Sequence, residues 1–340
     1  MRFGLFSRKV LVLDLGSAHT VLATHPPPAL LRVPTQVALV QPARSRGGAE
    51  SPRVLAVGEA AAEAEAPPGG VVRLVRPLER GRVRDPFAMG QLLSALLARL
   101  PRGPLPGIGP ARAVGLLVPA QLDPNHGARL QALLADVGLS RVRFIEAPFA
   151  AARACGLELE RPRGHMIMNL GAGTTQLAVF SMGGLVAWEL LEFGGLDLDQ
   201  AILNYVEVRY SAALRPADAT RLKHDLGSVY PKARPEGLDV PATSVRTRRE
   251  TRMHLDDNEI REVLVDACEP LVMAISRTFE RVPPELAADV ARDGILMVGG
   301  GALLAGLPAL LGERLGLAFL VADHPADVTA RGALELMLEG

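Results

Sequence analysis

Apolar residues in this chain gather in short runs, some alternating with polar residues as in strands and others recurring every three or four positions as on one face of a helix. From His165 to Val179, HMIMNLGAGTTQLAV predicts an apolar strand, a Gly-rich turn carrying two threonines, and a second apolar strand. A near-copy lies close to the start, where Val10–Leu15 runs into Gly16-Ser17-Ala18-His19-Thr20 and then into another apolar run. Asp85-Pro86 supplies an N-cap and a first-turn proline, and Met89, Leu92, Leu93, Leu96, Leu97 and Leu100 follow at helical spacing. Ala113–Val118 predicts a buried strand. Asp123-Pro124 caps a helix with Leu130, Leu133, Leu134 and Val137 inward, and Gly138 ends it. Val142–Glu146 is the next strand, and Pro148–Cys155 forms an Ala-rich helix that Gly156 can terminate. Further on, the pattern predicts a strand over Leu185–Glu192, a helix from about Leu198 to Tyr210, and one long helix over Asp256–Val282 capped by Asp256 or Asp257. A strand over Gly294–Val298 precedes Gly299-Gly300-Gly301, which opens another helix, and Ala326–Leu338 closes the chain as a helix. Strand alternates with helix, which implies a parallel or mixed sheet.

Composition narrows the class. At 340 residues, with 49% hydrophobic and 22% charged residues, the chain is long enough for two domains with substantial cores. Lys+Arg and Asp+Glu both count 37, so no basic field points to nucleic acid as a partner. The basic stretch Thr243–Arg252 lacks aromatic residues to stack bases and is expected to be an alternating exposed strand. Cys155 and Cys268 both sit in apolar helical patterns, which predicts buried thiols in a reducing, cytoplasmic setting. The uncharged stretches Gly164–Trp188 and Gly294–Gly312 are broken by glycines and Pro308, so neither is expected to span a membrane. MRFGLFSRK has too short an apolar part for a cleavable signal.

The two Gly-rich turns carry the chemistry. The backbone N–H groups of Gly171, Gly173, Thr174 and Thr175 can converge on an anion, and two such hairpins can grip one polyphosphate. Three glycines at 299–301 allow close approach to a flat ligand, or close packing alone. Phe3, Leu5 and Phe6 beside Arg2, Arg8 and Lys9 form either a small amphipathic membrane contact or a frayed terminus. The loop Pro101–Arg112 exposes Leu105 and Ile108 between arginines, as a linker or as a second membrane contact.

The ordered motifs VLDLGSAHT, AVGEAA, VRLVRPLERGRVRD, RFIEAPFAAARACGL, NLGAGTTQLAV, FGGLDLDQAILNYV, RLKHDLGSVYP, MVGGGALLAGLPALL and VADHPADVTARGAL resemble, over nearly the whole chain, the MreB-like bacterial actin homologues. These belong to the actin, heat-shock-chaperone and sugar-kinase superfamily. The resemblance implies an α/β, actin-like two-lobed fold, each lobe a mixed sheet with flanking helices and a smaller inserted subdomain, with a nucleotide cleft between the lobes. Residues 9–33, 76–148 and 325–340 would form the first lobe's core with 34–75 as its subdomain; 149–187 and 254–324 would form the second, with 188–253 as its subdomain. It also implies ATP and Mg²⁺ as cofactors. Asp14, Gly16, Ser17, Ala18 and His19 would form the first phosphate loop, with Asp14 on the metal side, and Gly171, Ala172, Gly173 and Thr174 the second. Lys223 matches a lysine that contacts the nucleoside, and Gly299, Gly300, Gly301 and Ala302 match the turn against adenosine.

The departures from the family pattern fall on its acids. The Glu before the crossover proline is Ala147, the Asp that begins the second loop is Asn169, and the Glu that ends it is Gln176. The ribose-contacting Glu is Thr220, the acid after Gly194-Gly195 is Leu196, and the Asn of the first loop is His19. Ala147, Asn169 and Gln176 are therefore degenerate catalytic positions, and ATP turnover is expected to be weak or absent. The resemblance implies a filament-forming cytoskeletal protein, cytoplasmic and peripheral at the inner face of the cell membrane, that helps set cell shape. Phe3, Leu5 and Phe6, assisted by Leu105 and Ile108, would make the membrane contact. Its partners would be further copies of itself, the membrane surface, another MreB and envelope morphogenesis proteins. An active ATPase of the same superfamily, and a nonpolymerising adaptor in an envelope complex, stand as alternatives.

Overall fold

The computed structural model describes residues 9–26, 28–42, 52–67, 70–100, 113–234 and 236–339. It divides into two units, Met1–Ala154 with Thr329–Gly340, and Cys155–Val328.

The first unit is built on a five-stranded sheet in the order Val142–Glu146, Ala113–Val118, Val10–Leu15, His19–His25, Ala29–Pro34. The first three strands run parallel and the last three form an antiparallel meander around the turn at Gly16. Val10–Leu13 is an unbroken apolar run because both faces of the sheet are covered. Leu11 and Leu13 face a core with Leu92, Leu93, Leu96 and Leu134, while Val10 and Val12 share another with Ala150, Ala330, Ala333 and Met337. The predicted caps are in place: Asp85 Oδ1 accepts from Ala88 N–H and Asp123 Oδ1 from His126 N–H, both at 2.9 Å. Helices Ala147–Ala154 and Val328–Glu339 pack so closely that a Cβ on Gly332 would lie 1.8 Å from the Ala150 carbonyl oxygen. A three-stranded sheet, with Val37–Pro42 between Arg53–Val57 and Gly70–Val75, occupies the segment before the Pro86–Arg99 helix.

The second unit repeats this plan. Its sheet runs Gly184–Leu191, Thr175–Ser181, His165–Leu170, Ile295–Val298, Phe319–Val321, again an antiparallel meander continued by parallel strands. The helices Gly195–Tyr210 and Pro216–Asp225 and a sheet of Ala212–Ala213, Gly237–Ser244 and Glu250–Asp256 are inserted after the meander.

Several expectations are corrected here. Asp256–Val282 is two helices, Asp257–Ala267 and Glu269–Glu280, because Pro270 has no N–H to continue the ladder to the Asp266 carbonyl. Asp256 is the N-cap, in a reciprocal capping box with Glu259. Thr243–Arg252 is a hairpin tip between two strands, turned through the positive φ of Arg248, rather than one exposed strand. The three glycines lead into a 3₁₀ turn, Gly300–Leu303, and the α-helix begins only at Leu307. Cys268 is buried, and desolvation pushes its thiol up to about 12, but Cys155 is only half-buried. Among the described residues, no helix is long and apolar enough to cross a membrane.

Candidate functional site

Each meander closes on a turn of the same construction. In the first, Gly16 N–H donates to the His19 carbonyl at 3.0 Å, and a Cβ on Gly16 would lie 2.6 Å from that oxygen. Thr35 secures the turn from outside: its hydroxyl donates to the Gly16 carbonyl at 2.7 Å and its N–H to the Ala18 carbonyl at 2.8 Å. Thr20 and Thr35, both fully buried, lie hydroxyl to hydroxyl at 3.0 Å. In the second, Gly171 N–H donates to the Thr174 carbonyl at 2.9 Å. The N–H groups of Gly195 and Leu196 hold the Gly171 and Ala172 carbonyls at 3.0 and 2.8 Å, and Thr175 Oγ1 donates to the Phe193 carbonyl at 2.8 Å.

Each turn therefore has two of its carbonyl oxygens tied to the segment that follows the meander. Among the described residues, no backbone carbonyl accepts from the N–H groups of Ser17, Ala18, Ala172 or Gly173, so these donors remain for an anion. Gly16 and Gly171 serve close approach rather than unusual torsion, since neither has a positive φ and a Cβ on Gly171 would lie 3.0 Å from the Thr174 carbonyl oxygen. Gly194 matters equally: a Cβ there would meet the Gly171 and Ala172 carbonyl oxygens at 2.6 Å. Each turn, taken by itself, offers donors suited to a phosphate group. It fits a divalent cation less well, because Asp14 is the only carboxylate among the positions assigned to the loops, and no cluster of three or more His, Cys, Asp or Glu occurs among the described residues.

Asp14 stands opposite Val21 in the first meander, and Asn169 opposite Gln176 at the equivalent place in the second. The Gln176 Oε1 is buried without a hydrogen-bond partner among the described residues. Ala147 is buried and begins the Ala147–Ala154 helix, rather than continuing the strand that ends at Glu146. Neither nearby acid is uncommitted: Glu146 Oε1 accepts from Gln121 N–H at 3.1 Å, and Asp197 Oδ2 accepts from Gly194 N–H at 2.8 Å as a helix cap.

The triple glycine packs against the second hairpin. A Cβ on Gly299 would lie 2.3 Å from the Leu170 carbonyl oxygen and 2.7 Å from Asn169 Oδ1, and one on Gly301 would meet Leu170 Cγ at 2.3 Å. Gly300 remains exposed and Ala302 is buried. Lys223 is also drawn in, donating to the Gly195 carbonyl at 2.7 Å and pairing with Asp199 at 2.7 Å. Asp199 accepts from Thr220 Oγ1 at 2.7 Å and was absent from the sequence expectations. The available signal was an acid on the buried face of a helix, between Leu198 and Ile202. His19 Nδ1 accepts from Arg32 at 3.3 Å. Phe3, Leu5, Phe6, Leu105 and Ile108 lie outside the described residues.

Residues 8–339 match the family described as MreB/Mbl protein. The chain is 32% identical over 338 residues to the cell shape-determining protein MreB of Escherichia coli K12, covering 98% of this chain and 95% of that protein. It is 30% identical over 328 residues to the cell shape-determining protein Mbl of Bacillus subtilis 168, covering 96% and 95%. Among solved structures, MreB5 of Spiroplasma citri bound to ADP is similar with a TM-score of 0.85 at 24% identity, over 97% of this chain and 96% of that one. A MamK double helical filament is similar with a TM-score of 0.75 at 21% identity, over 97% and 98%. These likenesses make the fold actin-like, as expected from the motifs, and the full-length match makes the chain a member of the MreB/Mbl family.

Proposed function

We propose that this protein is a cytoskeletal subunit that forms membrane-associated filaments and helps determine cell shape, and that it binds ATP but hydrolyses it slowly. The observation that carries the chemical part is the hairpin around Gly171: its turn is built as a phosphate cradle, yet the residues opposed across its strands are the amides Asn169 and Gln176. An amide keeps the size and hydrogen-bonding capacity of a carboxylate and lacks its charge, so it orients water but attracts a cation weakly. Ala147 offers no group at all to align an attacking water. Loss of a positioned acid–base residue costs about 10²–10⁴-fold in rate. Slow turnover would make filaments long-lived. When bound, Mg²⁺ would supply charge neutralisation for the phosphates, and Asp14 is the residue of the first loop that would hold it.

Support for nucleotide binding and assembly comes from the relatives: the Spiroplasma MreB5 structures hold ADP and AMPPNP, and MamK is seen as a double helical filament. The cell-shape role follows the names of the E. coli and B. subtilis relatives. Phosphate release should be measured for the native chain beside the triple variant Ala147→Glu, Asn169→Asp, Gln176→Glu. A large gain on reversal is expected. A native chain already as fast as E. coli MreB, with nothing added by reversal, would reject slow hydrolysis. Sedimentation with and without ATP tests assembly, and a protein that never pellets under polymerising conditions would be an adaptor instead.

A further inference from the structure

Asp199 lies on the buried side of the Gly195–Tyr210 helix and joins it to the Pro216–Asp225 helix of the second unit. Its Oδ1 is 2.7 Å from Lys223 Nζ and its Oδ2 accepts from Thr220 Oγ1 at 2.7 Å. Thr220 and Lys223 are three residues apart on the Pro216–Asp225 helix, so one helical face presents both. The pair is largely removed from solvent, with side-chain exposures of 12% for Lys223 and 8% for Asp199. Lys223 then donates to the Gly195 carbonyl at 2.7 Å, and the N–H groups of Gly195 and Leu196 hold the two carbonyls of the second turn. A continuous chain of polar contacts runs from Thr220 through Asp199, Lys223 and Gly195 to Gly171 and Ala172.

A lysine ammonium with little access to water keeps its charge and its direction only while a carboxylate compensates it. Without Asp199 the ammonium would swing toward solvent, and the Gly195 carbonyl would lose its side-chain donor and keep only the Asp199 N–H of its own helix. The backbone that grips the turn from behind would loosen in consequence. We propose that Asp199 is the positioning residue of the second turn: acting through Lys223, it holds Gly194–Leu196 against Gly171 and Ala172 and so keeps the donor side of the turn preorganised. The ligand consequence rests on the phosphate-binding reading above; the positioning itself does not.

Amide hydrogen exchange in the full-length protein, resolved at Gly195 and Leu196, tests this without nucleotide. Asp199→Asn keeps an acceptor for Thr220 and removes the charge. Exchange at Gly195 and Leu196 should become about 10- to 100-fold faster, the scale of losing a hydrogen bond to a charged group, while the Ile202–Val208 part of the same helix stays protected. Thr220→Val, which removes only the hydroxyl, should leave the Gly195 and Leu196 rates near those of the native chain. Asp199→Leu combined with Lys223→Met replaces the pair by apolar side chains, guards against a variant that merely fails to fold, and should show the same local loss. Unchanged rates at Gly195 and Leu196 in either Asp199 variant would overturn the proposal, as would an equal rise along the entire helix. ATP affinity, measured separately by calorimetry, should fall in both Asp199 variants. If even the native chain binds no ATP while the exchange changes appear, phosphate binding is refuted and the positioning role stands.

Discussion

Asn169 and Gln176 stand directly opposite each other on adjacent antiparallel strands, one residue before and one residue after the Leu170–Thr175 pair that closes onto the second turn. Opposed side chains on one face of a sheet are near neighbours, so their charges act on each other as well as on any ligand. Two carboxylates here would repel unless a cation or a buried donor compensated them, whereas two amides coexist without one.

Converting both to acids, Asn169→Asp with Gln176→Glu, should therefore lower the stability of the nucleotide-free protein by about 0.2–1 kcal/mol, the scale of cross-strand pair effects. Melting curves without nucleotide, and again with Mg²⁺-ATP, measure this. The deficit should shrink or reverse with Mg²⁺-ATP. A double variant as stable as the native chain in both conditions would mean that the two side chains do not share a field.

Gly332→Ala should be destabilising by about 1–3 kcal/mol, because a Cβ would lie 1.8 Å from the Ala150 carbonyl oxygen and two helices must separate to admit it. Chemical denaturation of the variant measures the loss. Gly316→Ala is the instructive comparison: its Cβ would meet nothing within 4 Å, and any cost there arises only from its positive φ of 69°.

Acid should unfold the second unit partly through Asp289 and Asp293. The Gly164 N–H bond holds the Asp289 carboxyl below its ordinary value of 3.8, and the Arg163 side chain does the same for Asp293. Both folded values are lowered, so their stabilising contribution is complete above 3.8 and is lost as pH falls through the lowered values. Asp289→Asn with Asp293→Asn should flatten the stability profile in that acid range and leave its shape near neutrality unaltered. An unchanged acid limb would place the responsible carboxylates elsewhere.

Membrane binding through Phe3 and Phe6 is checked by liposome cosedimentation of Phe3→Ser with Phe6→Ser. The variant should pellet less on anionic vesicles, and the native polymer should bind more tightly than the monomer, since assembled copies share one surface. Undiminished binding of the variant would reject the N-terminal contact.

The local features were legible in the sequence because short-range physics decides them. Asp85-Pro86 and Asp123-Pro124 announce helix starts, since a cap needs only a side-chain oxygen and three residues of chain. The hairpins at Gly16 and Gly171 follow from apolar runs broken by glycine, and their repetition together with the ordered motifs led to the family. The replacements at Ala147, Asn169 and Gln176 were equally visible, since identity at a position requires no coordinates. Only the tertiary structure revealed that Asn169 faces Gln176 and that Gly299 and Gly301 are required by contact with Leu170. It alone tied Asp199 to the turn through Lys223. The interruption of the Asp256–Val282 helix lay between the two: Pro270 was in view, but an apolar period continuing on both sides concealed the break. Contacts between residues such as Asp199 and Lys223 depend on how helices separated in sequence are packed together, and periodicity within one segment carries no information about that packing.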